Sequence, residues 1–414
     1  MKFRIISAGD TRAVARLLEP AHNDDPAFDR GVRAIVDAVR TGGDRALARF
    51  AKEFDGLSAP MEVSRTEMRK EAARVPPAVR RALAQAARNI ARVAFRQIPR
   101  HVDLAVAQGV SIEQRVEPLA RVGCYVPGGR FPLPSSLLMT AVPARVAGVR
   151  EVSVCCPRPE PAVMAAALEA GVTRLFRIGG AHAVAALAYG TKSIPRVDKI
   201  VGPGNRYVAA AKAIVARDCA IDFYAGPTEI VIVAGAGNPD WIAADLVAQA
   251  EHDPDARAIL ITWSRLLAER VATAVATRSA GRDIVRKALT ANGAVIVARH
   301  ADQAMALASR FAPEHLVLDR EALAKRPITA GAVFIGPYTA QAAGDYATGS
   351  NHVLPTAGAA RFRGGLSAAD FVRVMSVQRL TRDGLAGLAP TIVPLARAEG
   401  LEAHAASIEV RLKG

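Results

Sequence analysis

The stretch from Val152 to Lys212, VSVCCPRPEPAVMAAALEAGVTRLFRIGGAHAVAALAYGTKSIPRVDKIVGPGNRYVAAAK, decides the fold. Val152–Cys155 reads as a short buried strand. Pro159–Ala170 then takes helical spacing, and Gly171 stands where a helix-terminating glycine belongs. Arg174–Ile178 is the next strand, followed by a Gly-Gly turn and the helical run Ala181–Tyr189. Lys199–Val201 is a third strand, before a Gly-Pro-Gly-Asn turn and a helix through Arg217. Strands and helices alternating at this interval predict a parallel sheet covered by helices.

The pattern continues downstream. Thr228–Ala234, Arg257–Trp263, Ala294–Ala298 and Ala332–Ile335 read as strands, and Pro239 opens a helix reaching about Glu251. The first ~120 residues read as mostly helical. From Leu366 onward the chain is helix-rich and strand-poor, an appendage to the α/β body. With 414 residues there is room for two or three domains of about 100–200 residues.

Composition excludes several classes. Hydrophobic residues make up 51%, which is neither a disordered nor a disulfide-stapled composition. No apolar run approaches the ~20 residues of a membrane span; the uncharged run Pro327–Gly344 is broken by prolines and glycines. The N-terminal MKFRIISAGD lacks the apolar core of a secretory signal. Four cysteines without paired metal spacing fit a reducing, cytoplasmic setting. The net charge of +15 raises nucleic-acid binding. Its densest source, Ser64–His101, carries ten Lys/Arg against two Glu. Arg88, Arg92 and Arg96 fall on one helical ridge opposite Leu83, Ala87, Ile90 and Ala94. No aromatic residues interleave as a nucleic-acid surface would require, so this is read as a solvated helix face remote from any site, with neither nucleic acid nor membrane as partner.

Polar clusters mark candidate chemistry. Three glycine-rich turns, Tyr125–Gly129, Gly179–Gly180 and Gly202–Asn205, follow strands and precede helices, where backbone N–H groups meet phosphates. None is GxGxxG, and each alone is equally a plain tight turn. Gln249 and His252 share the face of a helix end. That spacing suits chelation of one metal, or a polar end with His capping the last carbonyls. Glu314-His315 at a strand entrance is either an acid–base pair or a surface pair. Asp345 and His352 lie in a polar loop, and Glu399 and His404 on a C-terminal helical stretch.

Together these segments resemble the histidinol dehydrogenase family over about residues 30–412. The carrying motifs are VGCYVPGGRFPLPSSLLMTAVPARVAGV (122–149), VDKIVGPGNRYVAAAK (197–212), AGPTEIVIVA (225–234), DLVAQAEHD (245–253), APEHL (312–316), GDYATGSNHVLPT (344–356) and EGLEAH (399–404). The resemblance implies two Rossmann-like domains, aldehyde-dehydrogenase-like overall, with a helical C-terminal appendage. A catalytic domain of 1–124 and 227–365 would carry an inserted NAD-binding domain of 125–226, and 366–414 would reach a partner in a homodimer. It implies one Zn2+ per subunit on Gln249, His252, Asp345 and His404. His315 would act as base for oxidation of L-histidinol with two NAD+, and Glu314 would activate water at the aldehyde stage. The four metal positions and His315 would also contact substrate, with Thr228, His352 and Glu399. Tyr125, His182 and Asn205 would contact cofactor, and Glu399 and His404 would complete the neighbouring subunit's site.

Four positions depart from the family pattern. His182 replaces a usual Gln, Arg130-Phe131 replaces small residues after the turn, and Thr228 replaces Ser. They keep open a related enzyme that oxidises another amino alcohol or an anionic, sulfonated alcohol. A zinc hydrolase would use the same donor types but would have no use for three glycine-rich strand ends.

Overall fold

The computed structural model describes residues 3–18, 25–128, 132–224 and 226–413. Two six-stranded sheets organise it, and a small three-stranded sheet stands beside them. The first sheet runs in the order Glu62–Val63, Arg174–Phe176, Glu151–Cys155, Arg121–Tyr125, Lys199–Val201, Ala220–Ile221. All pairings are parallel except that of Glu62–Val63. Counted from Arg121–Tyr125, its five parallel strands follow the doubly wound order 3-2-1-4-5. The order reverses between Tyr125 and Val201, where such sheets open a crevice.

The second sheet repeats that order. Its strands run Ile5–Ser7, Gly293–Val297, Arg257–Thr262, Glu229–Val233, His315–Leu318, Ala332–Ile335, all parallel. The reversal lies between Glu229–Val233 and His315–Leu318. Both strands are wholly buried, with Ile230, Val231, Leu316 and Leu318 fully enclosed, as expected for parallel strands covered on both faces.

Several elements differ from the sequence reading. The N-terminal helices Pro26–Asp55, Arg65–Ala72 and Pro77–Gln97 pack on helices of the first sheet, not the second. Arg121–Tyr125 is that sheet's central strand, so a boundary at 124/125 cuts through it. We therefore propose that residues 26–97 belong with the first sheet. Residues 102–118, read as helical, form the antiparallel hairpin Val102–Ala107 and Val110–Pro118. Val372–Leu380 pairs with it over nine residues. Its alternation V-R-V-M-S-V-Q-R-L is strand-like, and the helices that follow masked it.

The C-terminal helices Arg382–Ala398 and Glu402–Lys413 form a hairpin that packs chiefly on itself. It buries little beyond Gly384, Ala396 and Ala405, and it exposes Leu395, Leu401 and Val410. No helix of the described residues is long and apolar enough to cross a membrane.

Candidate active site

The chemistry-bearing residues converge at the amino ends of the two strands that flank the second sheet's reversal. Thr228 and Glu229 enter one strand, Glu314 and His315 the other, and Ile230 pairs with His315. Gln249 ends the helix Pro239–Ala250, and Asp345 lies in the last turn of Gln341–Tyr346. Helix C-termini carry partial negative charge, so the cluster is electrostatically prepared for a cation.

A chain of bonds fixes these groups. Glu314 Oε2 accepts the Thr228 hydroxyl at 2.6 Å and the Glu229 N–H at 2.8 Å, while Thr228 Oγ1 accepts from Gln249 Nε2. Gln341 Nε2 donates to Asp345 Oδ2 at 2.7 Å. His315 Nδ1 donates to the Glu229 carbonyl at 3.0 Å. That bond sets the tautomer and leaves Nε2 as a bare lone pair. His315 Nε2 is buried with no hydrogen-bond partner and lies 3.9 Å from Asp345 Oδ1. His352 Nδ1 bonds the Asp345 carbonyl at 2.9 Å, and its Nε2 meets Ser136 Oγ at 3.2 Å.

Burial governs protonation here. It lowers His315 below its ordinary value, with Asp345 and the Glu229 carbonyl opposing. His352 is lowered for the same first reason, with His315 and His252 adding to it. Glu314 is pushed up to about 8 by burial, against the Thr228 and Glu229 bonds. Glu229, which sequence reasoning passed over, is also pushed up to about 8 by burial and then by Glu314. An acid inside the otherwise apolar strand EIVIV was the available signal. Ser136 and Gln341 were missed as well, because nothing local distinguishes them.

The cluster can be tested against a metal ion. Gln249 is completely buried, yet its carbonyl oxygen finds no donor. An orphaned oxygen at a helix C-terminus, beside carboxylate and imidazole, fits the N/O donor set of a catalytic zinc site. His252 is exposed at the same helix end. Glu399 and His404 are exposed on the C-terminal hairpin, apart from the cluster. They also lie on separate helices, because Gly400 turns the chain at φ +74°. Among the described residues, no three His, Cys, Asp or Glu side chains of the one chain form a metal-holding group.

The glycine turns lie at the opposite, carboxyl end of the first sheet. A Cβ at Gly202 (φ +115°) would collide with the Tyr125 carbonyl, so only glycine lets the two turns meet. A buried Lys212–Asp222 ion pair fastens this turn, with Lys212 Nζ on the Gly202 carbonyl at 3.1 Å and Asp222 Oδ2 on its N–H at 2.7 Å. Tyr125 is buried, and its hydroxyl accepts from Gly180 N–H at 3.0 Å. Asn205 Oδ1 caps the next helix through Tyr207 and Val208 N–H. His182 is only 1% exposed, and its Nε2 is 2.8 Å from Asp55 Oδ2, which also takes the Gly179 N–H. It braces the turn from beneath. Gly129, Arg130 and Phe131 lie outside the described residues.

Comparison with known proteins places this geometry in context. A family profile described as histidinol dehydrogenase matches residues 18–412. A histidinol dehydrogenase of Syntrophotalea carbinolica is 45% identical, covering 99% of both chains. One from Cereibacter sphaeroides is 46% identical over 96% of this chain and 94% of its own. The crystal structure of histidinol dehydrogenase from Elizabethkingia anophelis superposes with a TM-score of 0.94 at 32% identity, over 99% of this chain and 98% of that one.

Proposed function

This chain belongs to the histidinol dehydrogenase family of oxidoreductases, and we propose that it oxidises L-histidinol through the aldehyde to L-histidine, with two NAD+ reduced. The observation that carries the reading is His315. Its tautomer is fixed, its proton affinity is lowered, and its free Nε2 is buried beside Asp345. A neutral imidazole so presented is a general base ready for an alcohol proton.

His315 Nε2 takes the hydroxyl proton as hydride leaves the carbinol carbon. Glu314 serves the next stage. Thr228 and Glu229 engage its Oε2, which leaves Oε1 to accept a proton from the water that adds to the aldehyde. His315 Nε2, having passed its first proton to solvent, then takes the hydrate's proton as the second hydride departs to the second NAD+, giving the carboxylate. Thr228, His352, the metal-position side chains and Glu399 of the partner subunit hold the substrate. The turns at Tyr125 and Asn205 receive the dinucleotide.

Gln249, His252 and Asp345 would hold Zn2+, with His404 of the partner subunit as the fourth protein ligand in a homodimer. Bound zinc would orient the substrate's amine and imidazole and polarise its oxygen. The exposed apolar side chains of the C-terminal hairpin and the separation of His404 from its own chain's cluster support this exchange. Four free, buried cysteines accord with a reducing cytoplasm. A preference for another alcohol loses one of its supports, because His182 faces Asp55.

Supplying L-histidinol, NAD+ and zinc tests the reading. Two NADH per histidinol consumed is the expected stoichiometry. Turnover of other alcohols but not histidinol, or loss of substrate without NADH, would overturn it.

A further inference from the structure

The Arg-rich helix Pro77–Gln97 is not remote from the site. Its Asn89 reaches across to the loop that joins Asp345 to His352. Asn89 Nδ2 donates to the Ala347 carbonyl at 2.7 Å, a contact spanning 258 residues of sequence. The Asn89 amide is itself oriented, since its Oδ1 accepts from Gln85 Nε2 at 2.9 Å and Gln85 Oε1 accepts from Arg88 at 2.7 Å. The loop lies flat against the helix backbone. Gly349 sits at φ +92°, and a Cβ there would be 2.5 Å from the Asn89 carbonyl oxygen and 3.1 Å from Val93 Cγ2.

The clasp matters because of what it holds. The helix carrying Asp345 has six residues and no side-chain cap at its start. A helix that short does not hold itself in water, and its terminal carbonyls need outside donors. His352 supplies one to Asp345 and Asn89 supplies one to Ala347. Beyond the turn, Asn351 Nδ2 bonds the Met139 carbonyl at 2.7 Å. The segment with Asp345 and His352 therefore hangs between two helices of the first sheet's half, Pro77–Gln97 and Pro134–Val146, which pack on each other.

We propose that Asn89 is a positioning residue for the substrate site, acting on Asp345 and His352 through the 347–350 turn. This rests on the reading of those two residues as substrate contacts. It gives the Arg-rich helix a task independent of its charge, and it makes substrate affinity depend on how the first sheet's helices sit against the second.

The test compares Asn89→Ala, the near-isosteric Asn89→Asp and Gly349→Ala with Arg92→Ala on the solvent side of the same helix. The Asn89 variants should raise KM for L-histidinol about tenfold, the scale of one lost anchoring hydrogen bond. KM for NAD+ and Tm should stay at wild-type values, and kcat should change less than threefold. Calorimetric affinity for L-histidinol, measured without NAD+, should weaken by the same factor. Gly349→Ala should act in the same direction and more strongly, and Arg92→Ala should match wild type. Asn89 variants identical to wild type, a joint loss of both affinities with a fallen Tm, or an Arg92→Ala that reproduces the effect would each overturn the proposal. Wild-type enzyme inactive on histidinol would instead refute the functional reading, and the same affinity split would then be measured with the alcohol it does oxidise.

Discussion

The two six-stranded sheets share one strand order and are used from opposite ends. In the first, the glycine turns gather at the carboxyl ends, where helix N-termini present N–H groups to an anion. In the second, Thr228, Glu229, Glu314 and His315 gather at the amino ends of the two strands that flank its reversal, and the adjoining helices contribute their C-termini. One winding thus yields two electrostatic characters: donors and positive dipole ends suited to an anion, carbonyls and carboxylates suited to a cation and a proton. The polar turns of the first sheet lie where open α/β sheets bind, at the carboxyl ends, and the polar cluster of the second lies at the other end, where helix C-termini suit a cation.

Substitutions in each sheet should therefore fail in different ways. The largest effect belongs to His315→Ala, which removes the base of both oxidations. Its kcat should fall about 10²–10⁴-fold with either L-histidinol or the aldehyde, while NAD+ binding by fluorescence titration stays intact. Loss of NAD+ binding would erase the division of labour between sheets. Glu314→Gln should follow, with a hundredfold-scale defect (~10²) in aldehyde turnover and a smaller one in alcohol oxidation. Equal defects would argue against separate roles. In the wild type, the ionised base form of Glu314 gains ground toward pH 8, because burial lifts this carboxyl to about 8. Aldehyde turnover should climb over that interval. Alcohol oxidation should persist below pH 6.5, because His315 is lowered from that value.

Gly202→Ala strikes the other sheet. The collision with the Tyr125 carbonyl and the φ of +115° should raise KM for NAD+ about tenfold, within the cost of a strained backbone position. KM for L-histidinol should hold. The smallest effect is on stability. Glu229 keeps its proton when folded up to about pH 8, while the unfolded chain ionises near 4.5. The associated stability is complete below pH 4.5 and is lost as pH rises through 8. Glu229→Gln should flatten the fall of Tm between pH 5 and 9; an unchanged slope would place the titration elsewhere.

The repeating α/β body was legible because each strand and helix carries its own period and turn residues. Lys199–Val201 and Ala332–Ile335 fall where the pattern puts them, and other ends move by a residue or two. The antiparallel hairpin at 102–118 was not, because a mostly exposed strand such as VDLAVA lacks the buried run that marks a sheet core. Glu314 and His315 were visible as a pair, but their protonation depends on Glu229, Thr228 and Asp345, drawn together only by the fold. The same holds for Asn89, whose neighbours in sequence are arginines and alanines. Tertiary contact over hundreds of residues leaves no local period to read.

The distribution of the four cysteines has a practical consequence. Cys124, Cys155, Cys156 and Cys219 all belong to the first sheet's half, all are buried and free, and burial pushes Cys124, Cys156 and Cys219 up to about 12 and Cys155 well above the ordinary thiol range. A thiol that does not ionise does not alkylate. Iodoacetamide uptake by the native chain is therefore a stopwatch for transient opening of the first sheet's half alone, and the second sheet's half is invisible to it. Protection by NAD+ but not by L-histidinol would show that this half opens independently of the other and would support its proposed role as the dinucleotide site.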